Sequence, residues 1–546
     1  MNIVLVSIDS KYIHTNMALR YLKAHLDQPS ELLEFTIKDD LAMIERSILD
    51  KNPDVIGLSV YLWNVKMMME LTVSLKAKCP AVIIMGGPEV SYEPAYFMHK
   101  VPVDYIIAGE GENAFKKLIS SISDHSIDPS IEGLVYRDSN QIVINKTALI
   151  KNLDTLSNPY HFEADLSNLS SRIQYIETSR GCPYHCSYCL ASLENSVRFF
   201  NIDRVKQDIL YLMVNGAKTF KFLDRTFNFK VSYALELFKF IIDHHFEGTV
   251  FQFEITGDLL PIELIDYLNH HAPKGLFRFE IGVQSTHLAT NLSVDRHQNT
   301  EKLLSNIRLI QEAGIIDLHL DLIAGLPEEN LERFARTFDE VFNLYPKELQ
   351  LGFLKMLRGT KIRREATKYG YVYDENPPYE IIRNDLLSES DLAEIHLTEE
   401  VLEIFWNKGY MPESMLQFIR SGRSAFASMN AFAHHLVDTG FDFHRFQLSD
   451  LFERLYAYVR ILSPESSQSL FDSLKFEYLL RSRIKPKIWW DHSFEKANKN
   501  AILRSFQERH PDLKIDELYK YAVVTAYRNQ SLIVVYKPDK MTYYTE

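Results

Sequence analysis

Cysteine is scarce: the 546-residue chain has four, and Cys182, Cys186 and Cys189 lie within eight positions of one another. A disulfide framework needs pairs spread along a chain, so none is expected. In a reducing compartment such a cluster signals metal or redox chemistry. No run of about 18 apolar residues occurs, which leaves nothing to span a membrane as a helix. An excess of basic charge is missing too. Sixty Lys and Arg stand against 73 Asp and Glu, a net charge of −13, the wrong sign for a protein whose main partner is a nucleic-acid backbone. The first residues lack the basic start of a signal peptide and turn polar at Ser10-Lys11-Tyr12, so a cytoplasmic protein is expected. Repeats and low-complexity tracts are absent. The remaining composition, 46% hydrophobic and 24% charged, is ordinary for globular proteins, and the length suggests roughly three to four domains.

What is present is alternation. Short apolar runs (Ile3 to Ser7, Leu33 to Ile37, Val55 to Val60, Val82 to Met85, Tyr105 to Ile107) alternate with stretches of helical spacing. This predicts a parallel sheet with helices on both faces, a doubly wound α/β domain over residues 1–125. Ligands meet such sheets at the carboxyl ends of the strands, where the polar and glycine-rich segments fall. Residues 126–170 are expected to be a connector with a small hairpin. From Ile173 six further strand–helix units follow, to about residue 370, and predict a partial (β/α)6 barrel with its chemistry at the strand carboxyl ends. Residues 371–546 lose the alternation; they predict a mainly helical domain with a terminal hairpin, and aromatics such as Phe405-Trp406 and Trp489-Trp490 are expected in its core.

The decisive segment is Thr178-Ser179-Arg180-Gly181-Cys182-Pro183-Tyr184-His185-Cys186-Ser187-Tyr188-Cys189, just after the first barrel strand. Three thiolates spaced C-x3-C-x2-C can hold three irons of a four-iron cluster and leave the fourth open. A structural zinc site completed by His185 is the alternative. Cys79, in the other domain, is expected to be an inert thiol.

This segment resembles the radical S-adenosylmethionine (SAM) superfamily, whose signature C-x3-C-x-aromatic-C is met with Tyr188 at the aromatic position. The resemblance implies that a 4Fe-4S cluster on Cys182, Cys186 and Cys189 chelates SAM and cleaves it reductively to a 5′-deoxyadenosyl radical. It continues around the barrel. Asp224 follows the second strand and is expected either to contact SAM or to cap a helix. Glu254 ends the third strand. Glu280 and Gln284 lie in Glu280-Ile281-Gly282-Val283-Gln284-Ser285, and Asp321 opens Asp321-Leu322-Ile323-Ala324-Gly325-Leu326-Pro327. All are implied contacts to SAM or substrate, and Arg180 is either a contact or a brace for the cysteine loop.

The first domain resembles the cobalamin-binding domain of cobalamin-dependent radical SAM proteins. The resemblance carries Ser59, Trp63, Asn64, Gly86, Gly87, Glu89, Gly109 and Glu110 over as cobalamin contacts. It departs from the base-off pattern D-x-H-x-x-G, since Asp9 and His14 are wrongly spaced and no glycine follows. His14 is therefore an axial ligand, a polar loop contact or structural. Arg358 and Tyr379, in segments like those of a subgroup whose C-terminal domain has no assigned role, are candidate substrate contacts at the barrel mouth. The implied function is an enzyme of cobalamin-dependent methyl transfer to an unactivated carbon, acting on a small-molecule or peptide substrate with an electron donor such as flavodoxin or ferredoxin. Radical rearrangement or cyclisation, or a barrel that makes no use of cobalamin for methyl transfer, is the alternative. A non-catalytic cobalamin or redox sensor is a third.

Overall fold

The computed structural model describes residues 1–546 except Asn195, Ser466 and Asp539. Two compact units emerge, one of Met1–Asn330 with Gly352–Glu389, the other of Leu331–Leu351 with Ser390–Glu546.

The first unit begins with a seven-stranded sheet built of β1 (Ile3–Asp9), β2 (Ser30–Thr36), β3 (Val55–Ser59), β4 (Val82–Gly86), β5 (Tyr105–Ile107), β6 (Leu134–Asp138) and β7 (Gln141–Ile144). The order is β2-β1-β3-β4-β5-β6-β7. β1 to β5 are parallel, and β6 and β7 add on antiparallel. The hairpin expected in a 126–170 connector is thus a correction: it extends the first sheet, because Tyr105, Ile106 and Ile107 offer their free edge to Tyr136, Val135 and Leu134. Alternate residues of β1 feed two cores, Val4, Val6 and Ile8 on one face and Ile3 and Leu5 on the other. Burial on both faces is what a helix-covered parallel sheet requires. Helix starts follow local chemistry: Asn16 and Asp40 each accept a hydrogen bond from the amide three residues on, the usual way to satisfy a first-turn donor. Two short helices, Pro88–Ser91 and Pro94–Lys100, were not expected from the periodicity; each opens with proline, whose fixed φ suits a first helical position.

The second sheet comprises β8 (Ile173–Ile176), β11 (Thr219–Phe222), β12 (Val250–Ile255), β13 (Phe277–Gln284), β14 (Asp317–Ala324) and β15 (Glu348–Phe353), in the order β15-β14-β13-β12-β11-β8. Between β8 and β11, the two-residue pair β9 (Ser179–Arg180) and β10 (Arg198–Phe199) closes the neck of the cysteine loop. Only Gly352 and Phe353 of β15 fall in the first unit. β8 and β11 to β14 pair in parallel, as the expected partial barrel demands. Every second residue points outward beneath the helices, so Phe220, Phe222, Phe251, Phe253, Phe277 and Phe279 are fully buried; Phe220 stacks on Phe251 and Phe222 on Phe253, and Phe238 meets Phe253 and Phe277 edge-on. The alternating residues face inward and are polar: Lys221, Glu254 and Glu280.

The second unit is mainly helical, as expected, and ends in an antiparallel sheet of Ala522–Tyr527, Gln530–Tyr536 and Met541–Thr545. Its hairpin turns on Arg528 and Asn529, both at positive φ. Phe405, Trp406, Trp489 and Trp490 are buried. The unit does not start at residue 371: residues 352–389 pack with the first unit and 331–351 with the second.

Candidate functional site

The cysteine loop is anchored before it is reactive. Gly181 sits at φ +96, and a Cβ there would lie 2.1 Å from the Ser196 carbonyl oxygen, so only glycine lets the loop close on itself. Ser187 N–H donates to Val294 O at 2.9 Å, and Ile362 N–H to Ser187 O at 3.0 Å. Cys182, Cys186 and Cys189 are all free thiols. Their neighbours are weak: Thr226 Oγ1 is 4.0 Å from Cys182 Sγ and Arg296 Nη1 3.9 Å from Cys186 Sγ. Burial pushes the thiols of Cys182 and Cys189 up from their ordinary value, while Arg225 pulls that of Cys189 down. Among the described residues, no three His, Cys, Asp or Glu side chains are arranged to hold a single metal ion, and His185 is exposed. The zinc alternative therefore has no geometric support. Three unpaired thiols beside two guanidinium groups do suit an iron–sulfur cluster, whose irons supply the missing positive charge.

Asp224 corrects its sequence reading. It is 1% exposed and accepts hydrogen bonds from Thr178 N at 3.1 Å, Thr178 Oγ1 at 2.6 Å and Ser179 Oγ. Its partners place it as a tie between the end of the second barrel strand and the root of the cysteine loop. Burial raises its carboxyl from 3.8 to about 6. Arg180 is likewise a brace, held by Glu112 at 2.7 Å and Glu177 at 3.0 Å and lying over the ring of Tyr21.

Glu254, Glu280 and Asp321 face the inside of the sheet, near enough for Glu280 and Asp321 to help burial raise the Glu254 carboxyl. Glu280 is paired with Lys221 at 2.8 Å, Asp321 with His319 at 3.0 Å, and Glu254 more loosely with Arg225 at 3.7 Å. Gln284 takes φ +66, and its buried Oε1 has no hydrogen-bond partner among the described residues. An orphaned acceptor at a strand's carboxyl end fits a ligand that brings a donor. Tyr188 accepts from Arg296 Nη1 at 3.3 Å, and Arg296 also reaches Gly282 O. Sequence reasoning missed Arg225 and Arg296. Arg225 directly follows the chosen Asp224, and the alternation that turns Asp224 inward to the protein turns Arg225 to open space. Arg296 lies outside every recognised motif, and only folding brings it to the thiols.

A cavity of about 780 Å3 opens between the carboxyl ends of the first sheet and the cysteine loop. Ser59, Trp63, Gly86, Gly87, Glu89, Gly109 and Glu110 line it from the first sheet; Gly181, Leu190 and Arg225 line it from the barrel. The thiols and the inner carboxylates lie off its wall, and Arg225 spans from the cavity to Glu254. Trp63 is 47% exposed and lies parallel to Tyr61, ring centroids 4.5 Å apart, leaving a flat aromatic surface suited to a large planar ligand. Gly87 has φ +111, and a Cβ would sit 2.5 Å from Val60 O. Glycine keeps the loop low and its backbone reachable.

Three expected cobalamin or substrate contacts take other roles. Asn64 is not on the wall; its side chain accepts from Tyr61 N at 2.8 Å and donates to Ile8 O and Ser59 O, stitching the loop. Arg358 and Tyr379 are buried and do not face the cavity. Arg358 Nε is 3.3 Å from Glu89 and 3.0 Å from Tyr379 Oη, its guanidinium pairs with Glu93, and Tyr379 Oη donates to Glu89. They hold the Gly86-Gly87-Pro88-Glu89 loop in place. Glu110 lines the cavity while saturated by Arg198 and the Ile150 amide. His14 lines the cavity with Nδ1 2.7 Å from Tyr175 Oη. Burial and nearby cations lower its pKa, so it is neutral at pH 7.

Comparison with known proteins adds independent evidence. Three family models match: "B12 binding domain" over residues 3–119, "Radical SAM superfamily" over 176–341, and "Protein of unknown function (DUF4080)" over 367–533. A cobalamin-dependent radical SAM methyltransferase, TokK, of Streptomyces tokunonensis is 28% identical over 302 residues, 52% of this chain and 44% of its own. The anaerobic magnesium-protoporphyrin IX monomethyl ester cyclase of a Synechocystis strain is 26% identical over 263 residues, 45% of this chain and 51% of its own. The chain thus spans about half the length of these relatives. The structure of OxsB, a cobalamin-dependent radical SAM enzyme with aqua-cobalamin and SAM bound, aligns with a TM-score of 0.61 at 16% identity, covering 94% of this chain and 81% of that one. The methyltransferase TsrM of Kitasatospora setae aligns at 0.58 with 15% identity, covering 93% and 99%. These two share the fold. No helix among the described residues is long and apolar enough to cross a membrane.

Proposed function

We propose that this chain, which carries a B12 binding domain followed by a radical SAM domain, is an enzyme that transfers a methyl group with cobalamin and SAM. One observation carries the reading. The glycine-rich carboxyl ends of β4 and β5 and the flanks of the cysteine loop line the same cavity, so two cofactors would face one substrate. Cys182, Cys186 and Cys189 would hold the 4Fe-4S cluster, and Arg225 and Arg296 would offset the thiolate charge. Glu254, Glu280, Gln284 and Asp321 offer acceptors for the ammonium and hydroxyl groups of SAM, with Lys221 holding Glu280 in place. The Trp63 face and the Gly87 and Gly109 loops would seat cobalamin. When bound, the cluster supplies the electron that opens the SAM sulfonium, and cobalamin supplies a methyl-carrying cobalt. The finer proposal is methylation of an unactivated carbon, fed by a donor of the flavodoxin or ferredoxin class.

The test is metal and corrinoid content after anaerobic purification from a cobalamin-fed host, then release of 5′-deoxyadenosine and movement of isotope from methyl-labelled SAM. About four iron and one cobalt per chain, with label reaching cobalamin, is the expected result. Likeness to a cyclase supports a second reading, rearrangement or cyclisation. Cobalt bound with deoxyadenosine formed and no label moved would favour it. Iron without cobalt would end the cobalamin assignment.

A further inference from the structure

The second unit carries a cavity of its own. About 360 Å3 in volume, it is lined by Lys485, His492, Glu495, Lys496, Lys499 and Asn500, within the size range of small-ligand pockets. Its charge is unbalanced. Lys485 and Lys499 are only 18% and 29% exposed, yet both ammonium groups share one carboxylate, Glu495, with Lys499 at 3.3 Å. Lys496 adds a third cation, and Arg483 is close enough to disfavour the charge on Lys499. Residues 481–500 hold six Lys and Arg against Asp491 and Glu495, in a chain whose net charge is −13. Burial, and after it the neighbouring Lys499, disfavours the charge on Lys485. The helix Ser493–Arg509 begins at this cavity, and its N-cap, His492, makes no side-chain capping bond. The helix start is met by Asp491, whose Oδ1 accepts from Ser493 N–H at 2.8 Å, so the excess positive charge of the cavity comes from its lysines. His492 Nε2 is instead 2.9 Å from Pro486 O, which folds the lysine-bearing loop over the helix start.

We propose that this cavity binds a phosphate-bearing ligand, a phosphate monoester or pyrophosphate group, through Lys485, Lys496 and Lys499 at the start of the helix. Ammonium groups act as point charges that suit phosphate, whereas planar carboxylates are matched by the guanidinium fork; among the described residues no arginine lines the cavity. Glu495 competes with the ligand for both lysines. The site lies wholly in the second unit and does not depend on the reading of the first.

The test is calorimetric titration of the full-length chain with pyrophosphate, inorganic phosphate and sulfate at physiological salt. Pyrophosphate is expected to bind saturably and more tightly than sulfate. Lys499→Met should weaken it about tenfold, the loss of one charge-assisted hydrogen bond. Glu495→Gln should tighten it several-fold, because the competing carboxylate is gone; this variant keeps the test decisive should Lys499→Met fold poorly. Equal affinity for sulfate and pyrophosphate, or affinities unmoved in both variants, would overturn the proposal. A polyglutamate peptide binding in preference to pyrophosphate would overturn it too, in favour of an acidic protein partner.

Discussion

Replacing Asp224 by asparagine separates two roles for one residue. As a SAM contact, Asp224 would be needed for affinity and little else. In the structure it is a buried acceptor for Thr178 and Ser179, with its carboxyl raised from 3.8 to about 6. The sign follows from the direction. A carboxyl raised in the folded state favours its protonated form there, so its contribution is fully present below about pH 4 and is lost as pH rises through 6. At about 1.36 kcal/mol per pH unit the full loss is about 3 kcal/mol, of which about 2 falls between about pH 4.5 and 7.5. Asparagine cannot titrate, so it lacks this loss. The assay is urea unfolding of the metal-free chain and of Asp224→Asn, followed by hydrogen exchange in the peptide containing Thr178. Relative to the variant, the parent is expected to lose about 2 kcal/mol of local stability over that range and to stay level above it. A difference that does not change with pH would refute the burial argument. A variant of parental stability whose SAM affinity alone collapsed would restore the contact role.

Two further outcomes follow from the geometry. Gly181→Ala must move the Ser196 carbonyl, which lies 2.1 Å from the added methyl; iron retained after anaerobic reconstitution should fall to a minor fraction of parental while far-ultraviolet circular dichroism stays unchanged. Arg358→Met leaves the buried Glu89 with Tyr379 alone. Stability should drop by about 3 kcal/mol at neutral pH, as when one partner of a buried pair is removed, and corrinoid affinity should weaken although Arg358 does not line the cavity. The stability deficit should shrink at lower pH, where Glu89, already raised by burial, takes up a proton; a deficit independent of pH would argue against the pairing.

Element types were legible where one physical signal ruled. The strands of the second series were legible because alternating residues divide between a buried apolar set, Phe251 and Phe253 in β12 or Leu349 and Leu351 in β15, and polar groups on the other face. Between the strands, helices such as Val65–Lys78 follow the helical spacing because they need only an apolar stripe, here Val65, Met68, Leu71 and Leu75. The hairpin β6–β7 was seen as a hairpin but placed outside the sheet, since pairing to β5 is a long-range backbone interaction with no side-chain signature. The change of pattern read at residue 371 differs from the division by packing, which assigns 331–351 to the second unit and 352–389 to the first, because loss of alternation is local while packing is decided in three dimensions. Among site residues, Asp224, Asn64, Arg358 and Tyr379 were chosen as chemically apt, and each is spent on another part of the protein. Arg225 and Arg296, beside the thiols, carry no spacing that would reveal them.

By itself the sequence determined the three-thiol loop, the two strand–helix series and the glycine positions where backbone must come close. These are local properties, set by covalent spacing and by the periods of strand and helix. Only the tertiary structure decided which polar groups remain free to meet a ligand. A carboxylate at a strand's carboxyl end reads the same whether it faces a cavity or a buried hydroxyl, and its availability depends on partners such as Thr178 for Asp224 and Arg358 for Glu89 that lie far away along the chain or in another element. Burial makes those partners obligatory, because an unpaired charge inside the protein costs more than the contact it would leave open.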